Sequence, residues 1–158
     1  MSHDDCHILL IDPQVQALLD ERGIREENIQ QVLRVAEEQN LFHTNKDSGH
    51  KLAYLPVGKV TYWVEYAQEA GGCRIVTAYS HRMKIWEGYN LPSKKEEVTR
   101  WSCAKCGDDL TLAAVKLAYL DETFVADLPS CPSCQRVLVS EENAVVKMAL
   151  AERMLEDK

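Results

Sequence analysis

The sequence predicts an α+β protein: two helices on a small antiparallel sheet, then a four-cysteine β-hairpin ribbon that ends in a helix. Three observations carry this. Apolar residues recur at helical spacing between positions 13 and 40. Three short segments rich in Tyr, Val, Ile and Trp follow, separated by turn residues. Then two Cys-x-x-Cys pairs bracket an alternating stretch of 24 residues.

In chain order, Pro13 suits a first helical position behind Asp12 as N-cap, with Val15, Leu18 and Leu19 as the apolar stripe and Gly23 as the stop. A second helix is expected from Glu26 to about Asn40, burying Ile29, Val32, Leu33 and Ala36. Residues 44–50, TNKDSGH, read as turn. Strands are expected over 52–55, 60–67 and 74–80, broken by 56–59 and 69–72. Tyr62 and Trp63 alternate, which puts one in the core and the other on the outer face. Residues 1–92 therefore form an ααβββ unit, and the charged 93–100 a linker, flanked by Trp86 and Trp101. Residues 101–158 form the ribbon: strands over 110–119 and 123–128 turning at 120–122, a third short strand over 137–139, and a helix from Glu141 to about Glu156 capped by Ser140. Ala144, Met148, Ala151 and Leu155 make that helix's apolar stripe.

The formal net charge is −7. Residues 101–158 contribute −4 of it, six basic against ten acidic side chains, and residues 1–100 contribute −3. Lys and Arg are scattered, so the basic face on which nucleic-acid affinity rests is missing. No apolar run approaches the roughly 20 residues of a membrane helix. The acidic, polar first residues do not read as a secretory signal. These features predict a cytoplasmic chain, and six cysteines in a reducing compartment point to metal or thiol chemistry rather than to disulfides.

The constellation with the sharpest chemistry is Cys103-x-x-Cys106-Gly107 with Cys131-x-x-Cys134-Gln135. Two residues between ligands let one tight turn aim both sulfurs at a single ion, and the hairpin between the turns brings the pairs together. Gly107 suits a position of positive φ, and Gln135 fits the same position less well. Four thiolates close a tetrahedral shell and leave no open position for catalysis, so the expected role is a structural zinc that staples a thin core. Iron at the same sulfurs is the alternative, since ligand softness does not separate the two metals. A dithiol switch ranks third, because neither pair opens a helix that would lower a thiol pKa.

Two resemblances extend these readings. The run Phe124, Asp127-Leu128-Pro129, Cys131-Pro132-x-Cys134 resembles the second half of rubredoxins, although 107–123 lacks that family's aromatic, Gly- and Pro-rich loop. The C-terminal half also resembles a family of small double-Cys-x-x-Cys proteins described as redox proteins. It does so through Cys103, Cys106-Gly107, Leu110, Val115, Tyr119-Leu120, Phe124, 127–129, Cys131-Pro132, Cys134, Met148 and 155–158. Genes of that family lie beside molybdenum-containing aldehyde oxidoreductases and their maturation factors. The resemblance implies an accessory role beside a redox enzyme, with a molybdenum hydroxylase or its maturation factors as partner.

Elsewhere, His81-Arg82 at the end of a strand resembles the phosphate-handling residues of RelE-type ribonuclease toxins. The plainer reading is that the pair ends an edge strand in solvent, because a nuclease needs a basic groove. His3, Cys6 and His7, with Cys73 or His50, would be a second metal group, but the spacing matches no metal signature, and a buried lone Cys73 is more simply a small core residue. No Ser/His/Asp order and no phosphate-cradling glycine loop stands out. The expected protein is thus a non-enzymatic binder.

Overall fold

A computed structural model describes residues 6–92 and 98–157 of the chain. It is α+β, with one large mixed sheet and few helices. Helix α1 (Pro13–Arg22) starts behind Asp12 and stops at Gly23, whose φ of 69° only glycine adopts without cost. Asp12 does not cap the helix through its side chain, which instead meets Arg74 at 2.9 Å. Helix α2 (Glu26–Gln39) buries Ile29, Val32, Leu33 and Ala36, the stripe expected from the sequence.

The three predicted strands are present as β3 (Lys51–Val57), β4 (Val60–Glu69) and β5 (Gly72–His81). The sheet is larger than the sequence suggests. It adds β1 (Leu9–Leu10), β2 (Phe42–Asn45), β6 (Lys84–Pro92) and β7 (Val98–Cys103), and takes in the predicted ribbon hairpin as β8 (Asp109–Tyr119) and β9 (Glu122–Ser130). The order is β1-β5-β4-β3-β2-β7-β8-β6, with β9 also on β8. Among the described residues only the β1–β5 pair is parallel. Of the predicted linker, residues 93–97 lie outside the described residues and 98–100 open β7. The expected third ribbon strand, 137–139, is reduced to one bridge between Ser130 and Val137, yet all three residues are buried.

The link from β2 to β7 sets where the cores sit. Helices α1 and α2 cover one face of strands β3–β5, where Leu19, Ile29, Val32 and Leu33 meet Val64, Tyr66 and Ile75. The opposite face carries Tyr54, Trp63 and Tyr79 in direct register across three strands. Their rings stack at 4.8 Å (Tyr54–Trp63) and 6.4 Å (Trp63–Tyr79). They join one core with Leu110, Val115, Leu128, the 137–139 segment, Ala144 and Met148. Tyr62 is therefore not on an outer face as expected: it packs against the helix-side core, because both faces of the sheet are covered.

The last helix begins at 141, runs through a π segment (Asn143–Met148) and continues as α3 (Ala149–Glu156). Ser140 caps it, its Oγ accepting the Asn143 N–H at 3.2 Å. Two carboxylates fasten this helix to the sheet. Glu141 accepts from Arg22 at 2.6 Å and from Thr77 at 2.8 Å. Glu152, buried although charged, accepts the backbone N–H groups of Arg82 and Met83 at 2.8 and 2.9 Å.

Candidate metal centre

Cys103 ends β7 and Cys106 lies in the turn after it, while Cys131 follows β9 and Cys134 the second turn. Each turn is a knuckle with the same backbone bonding. Gly107 N–H donates to Cys103 O at 2.7 Å, and Gln135 N–H to Cys131 O at 2.8 Å. Cys103 N–H reaches Asp108 O, and Cys131 N–H reaches Arg136 O. Gly107 has φ 76° and Gln135 φ 65°, so the glutamine adopts the left-handed conformation that glycine takes more readily. The two knuckles differ in side chain, not in backbone.

The β8–β9 hairpin brings the knuckles together. One sulfur from each of Cys103, Cys106, Cys131 and Cys134 lies within 4.8 Å of the others. Sulfurs bound tetrahedrally to zinc, each about 2.3 Å from the ion, would sit about 3.8 Å apart. The Cys103–Cys134 separation of 3.7 Å is already that distance. Cys103 and Cys131 are buried and Cys106 is exposed.

Electrostatics favour a cation here. Burial first, then the neighbouring sulfurs, push the Cys134 thiol up to about 12. Burial and the Cys131 and Cys103 sulfurs also raise Cys106, against a lowering contact from Cys134. Burial acts upward on Cys131 too, but backbone N–H groups of Cys134 and Ser133 and the nearby sulfurs outweigh it and lower that thiol. Four sulfurs this close cannot all ionise against one another; a divalent ion at their centre would remove the conflict and bind the thiolates. The donor set fits zinc or iron.

The centre is wired to the sheet. His43 on β2 stands opposite Cys103 on β7. Ala104 N–H donates to Phe42 O at 3.2 Å, and the Arg136 guanidinium donates to Asn40 O. His43 is fully buried, with Nε2 3.2 Å from Val137 O, and burial is the main cause of its pKa falling to about 4. His43 was missed by the sequence reading, because nothing in Phe42-His43-Thr44 marks it as the neighbour of a residue 60 positions away.

The other predicted sites are placed differently. His81 does not end a strand in solvent: it is buried, its Nδ1–H directed at Met83 O at 2.9 Å while Nε2 accepts from Trp63 Nε1–H at 2.9 Å. Both ring nitrogens are thereby engaged, and burial, opposed by the Met83 bond, lowers the pKa to about 4. Arg82 pairs with Glu152 and Glu156. In the second metal group, His3 lies outside the described residues and His50 is bonded to Glu65 at 3.0 Å. Cys6 and Cys73 form a disulfide, which corrects both the reading of Cys73 as a lone core thiol and the expectation that the six cysteines form no disulfide. Sequence spacing could not show this pair, because it is made when β1 docks parallel on β5.

Residues 99–158 match the family model of a domain of unknown function, DUF7479. Comparison with curated proteins finds no match, and comparison with solved structures finds none either. No helix among the described residues is long and apolar enough to cross a membrane.

Proposed function

We propose that this chain is a metal-binding accessory protein. In this reading, zinc at Cys103, Cys106, Cys131 and Cys134 locks the ribbon and final helix onto the sheet, and that assembled surface engages a protein partner. The observation that carries it is the convergence of four sulfurs from two matching knuckles, one bonded to the backbone of β2 and the other to the end of α2. A closed four-sulfur shell has no vacant ligand position, which argues for scaffolding over catalysis. The final helix leaves Val146, Leu150 and Met154 exposed at four-residue spacing, an apolar stripe of the kind that partner proteins cover. The resemblance to double-Cys-x-x-Cys redox proteins supplies the partner class: a molybdenum hydroxylase or its maturation factors. The four free thiols of the cluster support the cytoplasmic location expected from the sequence, and the Cys6–Cys73 disulfide is the one feature that speaks against it.

The second reading is a one-electron carrier with rubredoxin-type iron at the same sulfurs. One observation favours it: Gln135 takes the positive φ that a glycine takes in the first knuckle, so the missing glycine is no obstacle to that site.

Purification without added metal, elemental analysis and a visible spectrum separate the two. One zinc per chain with no visible band supports the scaffold. One iron per chain, with a red thiolate-to-iron band that bleaches on reduction, supports the carrier. A chain that folds and retains neither metal sinks both.

A further inference from the structure

Strand β9 has one open side. Its inner side is bonded to β8 along its whole length. Its outer side is closed only at the C-terminal end, where Leu138 N–H meets Pro129 O at 2.9 Å and Val137 bridges Ser130. In an antiparallel ladder, successive residues direct their main-chain groups to alternate sides. Since Pro129 directs its carbonyl outward, so do Asp127, Val125 and Thr123, and no strand pairs with them among the described residues. The side chains of all three are exposed, Val125 to 71%. An open edge with an apolar centre is a template for another strand.

We propose that β9 is a dimer interface, joining two copies of this chain edge to edge about a two-fold axis at Val125. The register argues for a second copy as the occupant. With the axis at Val125, Val125 faces the partner's Val125 and Thr123 faces the partner's Asp127, so no like charges stand opposite. On the other side of the strand Phe124 faces the partner's Ala126, large against small. An axis one residue earlier would bring Asp121, in the turn just before β9, beside the partner's Asp127. An axis one residue later would set Thr123 against the partner's Pro129, which has no N–H to give. Like charges directly opposite are destabilising in a sheet, so the sequence selects the Val125 register. Phe124 and Ala126 also line an apolar groove of about 150 Å³ with Met148 and Ala151. The Phe124–Ala126 contacts between copies would extend that apolar surface across the axis.

This inference goes beyond the metal reading and does not depend on it. Sedimentation velocity of the metal-loaded chain, over a concentration series reaching the high micromolar range, tests it. The wild type is expected to pass from monomer to twice the monomer mass. Val125→Lys, which places two ammonium groups at the axis, is expected to stay monomeric throughout. Thr123→Lys, which gives the partner's Asp127 an opposite charge, is expected to tighten the dimer severalfold. Both side chains are exposed, so the variants should keep the wild-type metal content and circular dichroism. A wild type that remains monomeric overturns the proposal. So does a dimer that ignores either substitution. Metal content measured on the same samples reports separately on the four-cysteine centre.

Discussion

At the scale of single residues, the two knuckles depend on backbone conformations that most side chains resist. Gly107 sits at φ 76° with open space around its Cα, so an added methyl group would meet no neighbour. Gly107→Ala therefore isolates the conformational cost, about 1 kcal/mol for a left-handed residue. It should weaken metal retention against a chelator by severalfold while leaving the fold intact; unchanged retention would show the knuckle to be less constrained than its bonds suggest. His81 gives a second residue-scale expectation. Unfolded, the imidazole takes up a proton near pH 6.5; folded, it resists until about 4, because burial disfavours the charged ring. The contribution is therefore fully present above about pH 6.5 and is lost as pH falls towards 4. At about 1.4 kcal/mol per pH unit, the loss is at most about 3 kcal/mol. Denaturant melts across that window should show the decline. His81→Gln, which cannot titrate, should lower stability at neutral pH and flatten the slope, and an equally steep slope would place the effect elsewhere.

At the scale of elements, what the sequence makes legible is whatever depends on near neighbours. Helix α2 could be read from Ile29, Val32, Leu33 and Ala36, and strands β3 to β5 from their aromatic and β-branched residues, because each pattern completes itself within one element. Strand β2 was hidden: Phe42–Asn45 is four residues long and runs into a turn, so turn signals dominate it. Its identity as a strand comes from β3 on one side and β7 on the other. The continuous sheet was hidden for the same reason, as it depends on a pairing between residues 43 and 103. Glu152 is the instructive miss. It falls between Met148 and Leu155 on the buried stripe, and a charge in such a place signals a buried acceptor waiting for donors. Arg82 and Met83 supply them. Glu152→Ala leaves two inward-facing N–H groups without their carboxylate and should cost about 1–3 kcal/mol, read from denaturant melts. A neutral result would mean that water replaces the carboxylate.

At the scale of the whole molecule, a disulfide and a four-cysteine cluster that could hold a metal join distant parts of the chain, and they should fail differently. The four-cysteine centre was legible, because Cys-x-x-Cys spacing is local and its repetition is rare by chance. The Cys6–Cys73 disulfide was not, since it joins residues 67 positions apart at the docked β1 edge. In the chain-entropy account a loop of that length is worth roughly 4 kcal/mol. Cys6→Ser should lower global stability by an amount of that order without altering metal content. The metal centre should act locally and more strongly, since structural zinc can supply roughly 10–16 kcal/mol. Zinc there would hold the knuckles that bring residues 137–139 over Tyr54, Trp63 and Tyr79, where Tyr79 Oη donates to Val139 O at 2.7 Å. Helices α1 and α2 pack on the opposite face. Cys103→Ser, or chelation of the wild type, should therefore strip hydrogen-exchange protection from 128–139 and from the aromatic face of β3 to β5 first. Protection in α2 should persist longer, because its core contains none of the ribbon's buried residues. Simultaneous loss of protection everywhere would instead mean that sheet, helices and ribbon fold as one cooperative unit. Unchanged protection in a metal-free chain would remove the structural role of the centre.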